Sequence, residues 1–114
     1  MQITFADKKL QESLQDKKER QRRFGPEMAK KTQLRLEALS AALSLGAFWP
    51  AKSGPERCHE LLGDLAGTFS MDVKQPYRLL FVPSELPKDT PLVGKPKWDA
   101  IKAIKIIAIE DTHG

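Results

Sequence analysis

Residues 57 to 82 constrain the fold most tightly, because their apolar pattern and turn residues read as three strands joined by two tight turns. In the middle strand Phe69, Met71 and Val73 alternate with Ser70, Asp72 and Lys74. That period of two belongs to a strand with one face in a core and the other in water. Gly63 and Gly67 before it accept positive φ, and Pro76 after it has no N–H for a ladder, so both breaks read as hairpin turns. The next strand, Tyr77 to Val82, sets Arg78 among apolar neighbours, where a guanidinium is costly unless it has a partner or a task.

The rest of the chain wraps or completes this unit. Residues 2 to 6 read as a short strand, and Asp7 as the N-cap of a helix that carries Leu10 and Leu14 four apart. Residues 16 to 23 either continue that helix or form a basic linker. Gly25-Pro26 then punctuates the chain, with Pro26 suited to the first turn of a new helix. Met28, Thr32, Leu36, Leu39 and Leu43 form one stripe on it, widened by Ala42 and Leu45, which predicts a helix ending near Gly46 and packing on the sheet. Residues 47 to 56 form a crossing loop. Residues 83 to 97, with Pro83, Pro87, Pro91 and Pro96, are expected to be an irregular surface loop. The stretch from Ala103 to Ile109 is apolar on both faces apart from Lys105, as in a strand buried inside a sheet. It delivers Glu110, Asp111, Thr112 and His113 at its carboxyl end. The expected layout is one α+β domain over residues 1–114, two N-terminal helices on a small, mostly antiparallel twisted sheet in the order β-α-α-β-β-β-β.

The net charge of +4 is less informative than its placement. Residues 16 to 31 hold seven basic side chains (Lys17, Lys18, Arg20, Arg22, Arg23, Lys30, Lys31) against three acidic ones, which accounts for the whole excess. Such a segment attracts RNA or DNA by phosphate neutralisation, but charge alone favours a solvated helix face, and an acidic protein partner also fits. The single cysteine, Cys58, cannot form an internal disulfide, no secretory leader opens the chain, and no apolar stretch is long enough for a bilayer. These features read as a cytoplasmic protein with no membrane partner. Cys58 and His59 are adjacent and face opposite sides of a strand, with no further Cys or His cluster nearby, so neither a metal nor another cofactor is expected. Asp64 between two glycines reads as turn chemistry, and Trp49 and Trp98 as core or loop anchors rather than platforms for stacked bases.

Three strings occur in order: Arg57-Cys58-His59-Glu60-Leu61-x-Gly63-Asp64-x-x-Gly67, Tyr77-Arg78-Leu79-x-Phe81, and Ile106-x-x-Ile109-x-Asp111-x-His113. Together they resemble the HigB-like toxins of the RelE/ParE superfamily over nearly the whole chain. The resemblance implies a RelE-like fold and the toxin of a type II toxin-antitoxin pair. It implies a metal-free ribonuclease that cuts mRNA in the ribosomal decoding site and is silenced by a helix-turn-helix antitoxin of HigA type. By position it carries a site onto His59, Arg78, Asp111 and His113, with Arg57 and the basic segment as contacts to RNA and the ribosome. Leu62 and Thr112 depart from the family's lysine and tyrosine, which removes a cation and a phenol. The chemistry needs a base for the 2′-hydroxyl, an acid for the leaving 5′-oxygen and a cation for the phosphorane. Two histidines and an arginine meet that need. The alternatives are a ParE-like, non-enzymatic inhibitor of a DNA topoisomerase, or a degenerate relative that binds only an antitoxin.

Overall fold

The apolar run at residues 103–109 takes the interior position that its composition demands. The computed structural model describes residues 1–111, in the order β1 (Gln2–Phe5), α1 (Lys8–Gln15), α2 (Lys17–Ala41), β2 (His59–Glu60), β3 (Phe69–Asp72), β4 (Tyr77–Pro83), α3 (Gly94–Ala100) and β5 (Ala103–Asp111). The five strands form one sheet in the order β1-β5-β4-β3-β2. β5 pairs in parallel with β1 and antiparallel with β4, and β4, β3 and β2 continue antiparallel. Ala103, Ile104, Ile106 and Ile109 are buried, and Lys105 alone in that run is exposed. The α+β class and the predicted order are therefore observed, with one further helix before the last strand.

Local chemistry sets the helix starts. The Asp7 carboxylate accepts from the Leu10 N–H at 2.7 Å, and Asp16 both closes α1 and caps α2 through the Glu19 N–H at 3.1 Å. Residues 17–24 are thus helical rather than a linker. Gly25 interrupts α2 with φ 79° and ψ 164°, a backbone that favours glycine, and Pro26 restarts the helix where its missing N–H is of no consequence. Met28, Thr32 and Leu39 are buried against Leu10 and Leu14 of α1 and Phe69, Leu79, Phe81, Ile104 and Ile106 of the sheet. The Thr32 hydroxyl is satisfied by the Met28 carbonyl at 2.8 Å.

Three expectations are corrected. α2 ends at Ala41, not near Gly46, and Leu43 is 91% exposed. Leu45 instead enters the core from a short 3-10 turn (Leu45–Phe48), held by its N–H to the Ile101 carbonyl at 2.9 Å. The proline-rich stretch is not irregular throughout, because α3 begins at Gly94. Pro96 lies in its first turn, where no N–H needs an intrahelical acceptor, and burial of Trp98 against Phe69 (5.6 Å between ring centres, 82° between planes) anchors it. The supposedly wet face of β3 is partly dry, since Ser70 is fully buried. No helix among the described residues is long and apolar enough to cross a membrane.

These positions separate core from surface sharply. Phe81→Ala is expected to lower unfolding free energy by about 3–5 kcal/mol, and Leu43→Ala to change it by no more than about 0.5 kcal/mol, measured by urea denaturation.

Candidate functional site

Strand register decides which side chains can meet. His59 pairs with Ser70 and Ser70 with Leu80, while Asp72 pairs with Arg78 and Arg78 with Glu110. Paired residues share a face and successive ones alternate. Two rows therefore cross the sheet on the side away from α1 and α2: His59, Ser70 and Leu80 in one, Asp72, Arg78 and Glu110 in the other. The opposite face carries Phe69, Met71, Leu79, Phe81 and Ile109, all buried. Cys58, fully buried in the core, fixes the parity that turns His59 outward.

Asp72 organises the outer face. One of its carboxylate oxygens lies 3.6 Å from Arg78 Nε and the other 3.6 Å from Arg57 Nε. Its N–H donates to the Glu56 carbonyl at 2.7 Å, and its own carbonyl accepts from Arg35 Nε of α2 at 2.7 Å. At 3.6 Å the two arginine contacts are ion pairs rather than hydrogen bonds. Neither guanidinium makes a hydrogen bond among the described residues, and the Arg78 side chain is 33% exposed. Arg57 has φ 46°, a left-handed backbone in a non-glycine residue and therefore a point of strain beside the cluster. Its carbonyl lies 2.9 Å from His59 Nδ1. A carbonyl only accepts, so Nδ1 carries a proton and the neutral ring presents its lone pair at Nε2. The Ser70 hydroxyl, paired across from His59, is buried without a hydrogen-bond partner among the described residues.

The terminal strand divides its two carboxylates between the faces of the sheet. Asp111 pairs with Tyr77 and shares its face, whereas Glu110 falls on the face of Arg78. Asp72 is the carboxylate that pairs with Arg78. Glu110 was missed, although counting alternation onward from Ile109 points to it. Thr112 and His113 lie outside the described residues.

The basic segment belongs to the helix layer. Lys17, Lys18, Arg22, Arg23 and Lys30 are exposed and Lys31 is half-buried. Arg22 pairs with Glu19 at 2.6 Å, which raises its pKa. Arg23 donates to the Ser13 hydroxyl at 2.9 Å and lies over the Phe24 ring. Arg20 corrects the expectation of an exposed cation. It is buried, and it donates to the Leu14 carbonyl at 2.7 Å and to the Gln33 side chain at 3.1 Å, tying α1 to α2. Across the sheet edge, Lys74 holds Glu27 at 2.7 Å, and that contact lowers the carboxyl pKa. No three His, Cys, Asp or Glu side chains among the described residues group to hold a metal ion.

In three dimensions the chain is similar to a YoeB/ParE toxin from Agrobacterium tumefaciens, with a TM-score of 0.53 and 17% identity over 99% of this chain and 100% of that one. It is also similar to YoeB-YefM from Staphylococcus aureus, a complex (TM-score 0.51, 18% identity, 96% of this chain and 94% of that one). The YoeB dimer from Staphylococcus aureus gives the same score and coverage at 19% identity. At such identities the likeness is one of fold: the chain has the α+β fold of the YoeB/ParE-type toxins. No protein-family model and no curated protein matches the sequence.

Cys58 sits beside this site but is no nucleophile at neutral pH, since burial first and Glu56 second push its thiol up to about 12. The native thiol keeps its proton while an unfolded one releases it near 9.0. Stability is therefore expected to fall as pH rises from that value toward about 12. Alkylation by iodoacetamide at pH 8 is expected to run at least about 100-fold slower in the native chain than in urea.

Proposed function

We propose that this chain is the toxin of a type II toxin-antitoxin pair, of HigB-like type, and cleaves ribosome-bound mRNA by metal-free acid-base chemistry. The observation that carries the reading is the shared outer face of the sheet, where Arg78, Arg57 and His59 stand together with donors left over for a phosphate. In this reading His59 takes the 2′-hydroxyl proton at Nε2, and the attack forms a pentacovalent phosphorane. Arg78, assisted by Arg57, stabilises its charge through forked N–H donors. His113 returns a proton to the departing 5′-oxygen, so that the 2′,3′-cyclic phosphate and a free 5′-hydroxyl result.

Asp72 is the residue that sets the two guanidinia, and Glu110 is the terminal carboxylate opposite Arg78. Asp111, which pairs with Tyr77 across the strands, keeps in this reading the role of orienting a histidine. The exposed cations Lys17, Lys18, Arg22, Arg23 and Lys30, with half-buried Lys31, supply salt-dependent contacts to ribosomal RNA. A helix-turn-helix antitoxin of HigA type is the expected protein partner, a pairing in line with the YoeB-YefM complex of a structural relative.

A second reading, a non-enzymatic inhibitor of a DNA topoisomerase, draws on Asp72, which neutralises part of the charge on Arg57 and Arg78. A supercoiling assay separates the two, because only the inhibitor slows a topoisomerase. For the leading reading, purified protein added to a translating extract is expected to cut mRNA. Arg78→Ala should reduce cleavage by at least about 100-fold, and His59→Ala by about 10²- to 10⁴-fold. Intact mRNA with the wild type, or equal cleavage by Arg78→Ala, contradicts it.

A further inference from the structure

A groove of about 500 Å³ runs along the outer edge of β2, between that strand and the loop that follows the 3-10 turn. Trp49, Lys52, His59, Leu61, Leu62 and Trp98 line it. The volume is that of a small-ligand site. Nothing in the chemistry above uses the groove, yet His59 belongs to both, so the groove is continuous with the outer face of the sheet.

Its aromatic wall is built from the core outward. Phe81 stacks on Phe69 at 5.9 Å, Phe69 meets Trp98 edge-on at 5.6 Å, and Trp98 meets Trp49 edge-on at 5.2 Å and 87°. Trp98 is 4% exposed and Trp49 37%. In either sense of a T-shaped contact, Trp98 leaves at least one face of the Trp49 ring uncovered. The indole is thus held rigidly from behind and open in front. Lys52 is exposed beside it, and Leu62, 89% exposed, supplies further apolar surface. Glu60 also lines the groove, but Lys97 holds its carboxylate at 2.7 Å, so the exposed charge beside the indole is Lys52. A π-face next to a cation is what an unpaired nucleobase and its phosphate require.

We infer that this groove is a nucleobase subsite: a base of single-stranded RNA stacks on Trp49 while Lys52 meets its phosphate. The inference rests on the nuclease reading for its orientation, since β2 and β4 are two strand spacings apart, about 10 Å. The stacked base and the phosphate at Arg78 then belong to neighbouring nucleotides of one extended strand. Because every base has a π-face, the subsite contributes affinity with little sequence preference.

The test is a titration of the full chain with a single-stranded 2′-O-methyl RNA heptamer, which lacks the free hydroxyl that cleavage needs. Binding is followed by the anisotropy of a dye on the RNA, and Trp49 by its emission and its quenching by iodide. Bound RNA is expected to shield Trp49 from iodide. Trp49→Ala should weaken binding by about 5- to 150-fold, the worth of one base-aromatic stack, while Trp49→Phe stays within about threefold of the unmodified chain. The iodide measurement needs no variant, so it stands even where Trp49→Ala fails to fold. Absence of binding, unchanged iodide access at saturating RNA, or equal affinity of a folded Trp49→Ala overturns the subsite. RNA that binds with Trp49 shielded but is never cut in its 2′-hydroxyl form contradicts the nuclease reading and leaves the subsite standing.

Discussion

One carboxylate holds the outer side of the sheet together. Asp72 lies between Arg57 and Arg78, and its backbone is tied on one side to Glu56 and on the other to Arg35 of the helix layer. The arginine side chains are 52% and 33% exposed, so each pair contributes less than about 1 kcal/mol to stability. Position is the larger effect. Two like charges are kept side by side around one carboxylate, with Glu110 opposite Arg78 on the same face. Such an arrangement suits one phosphate, because among the described residues neither guanidinium makes a hydrogen bond.

The fold supplies that arrangement at a distance. β5 lies inside the sheet, flanked by β1 and β4, so the β4-β3-β2 meander is backed by the helix layer over its apolar face. Cys58 drops into the core and turns its neighbour His59 outward. The chain reaches that point through a loop closed by the Lys52 N–H on the Cys58 carbonyl at 2.9 Å, with left-handed backbones at Lys52 (φ 64°) and Arg57 (φ 46°). Unfavourable backbone is thereby concentrated next to the candidate site and absorbed by a well-packed interior.

Much of this was legible in the residues. The strand around Met71, the apolar run ending at Ile109, the Asp7 cap and the Gly25-Pro26 break each encode local structure through a local cause, and each element appears where predicted, although Ser70 on the expected wet face is buried. Quantities set by register were harder to read. The resemblance pointed to Asp111, but the face a terminal residue occupies depends on pairing across β4, where a bulge lies between Leu80 and Phe81. That parity puts Glu110 opposite Arg78 and Asp111 opposite Tyr77. Arg20 was hidden for a similar reason, because only the packing of α1 on α2 buries it. The start of α3 is driven by Trp98 seeking the core, a long-range effect that the prolines around it obscure.

The central claim is that Arg57 and Arg78 act as one phosphate clamp set by Asp72. It is tested most directly by following the Nε–H resonances of both arginines in ¹⁵N-labelled protein during titration with a deoxyribose dinucleotide. The account predicts that both signals move together along one binding isotherm, and that Asp72→Asn uncouples them. Movement of neither signal, or of Arg57 alone, contradicts it.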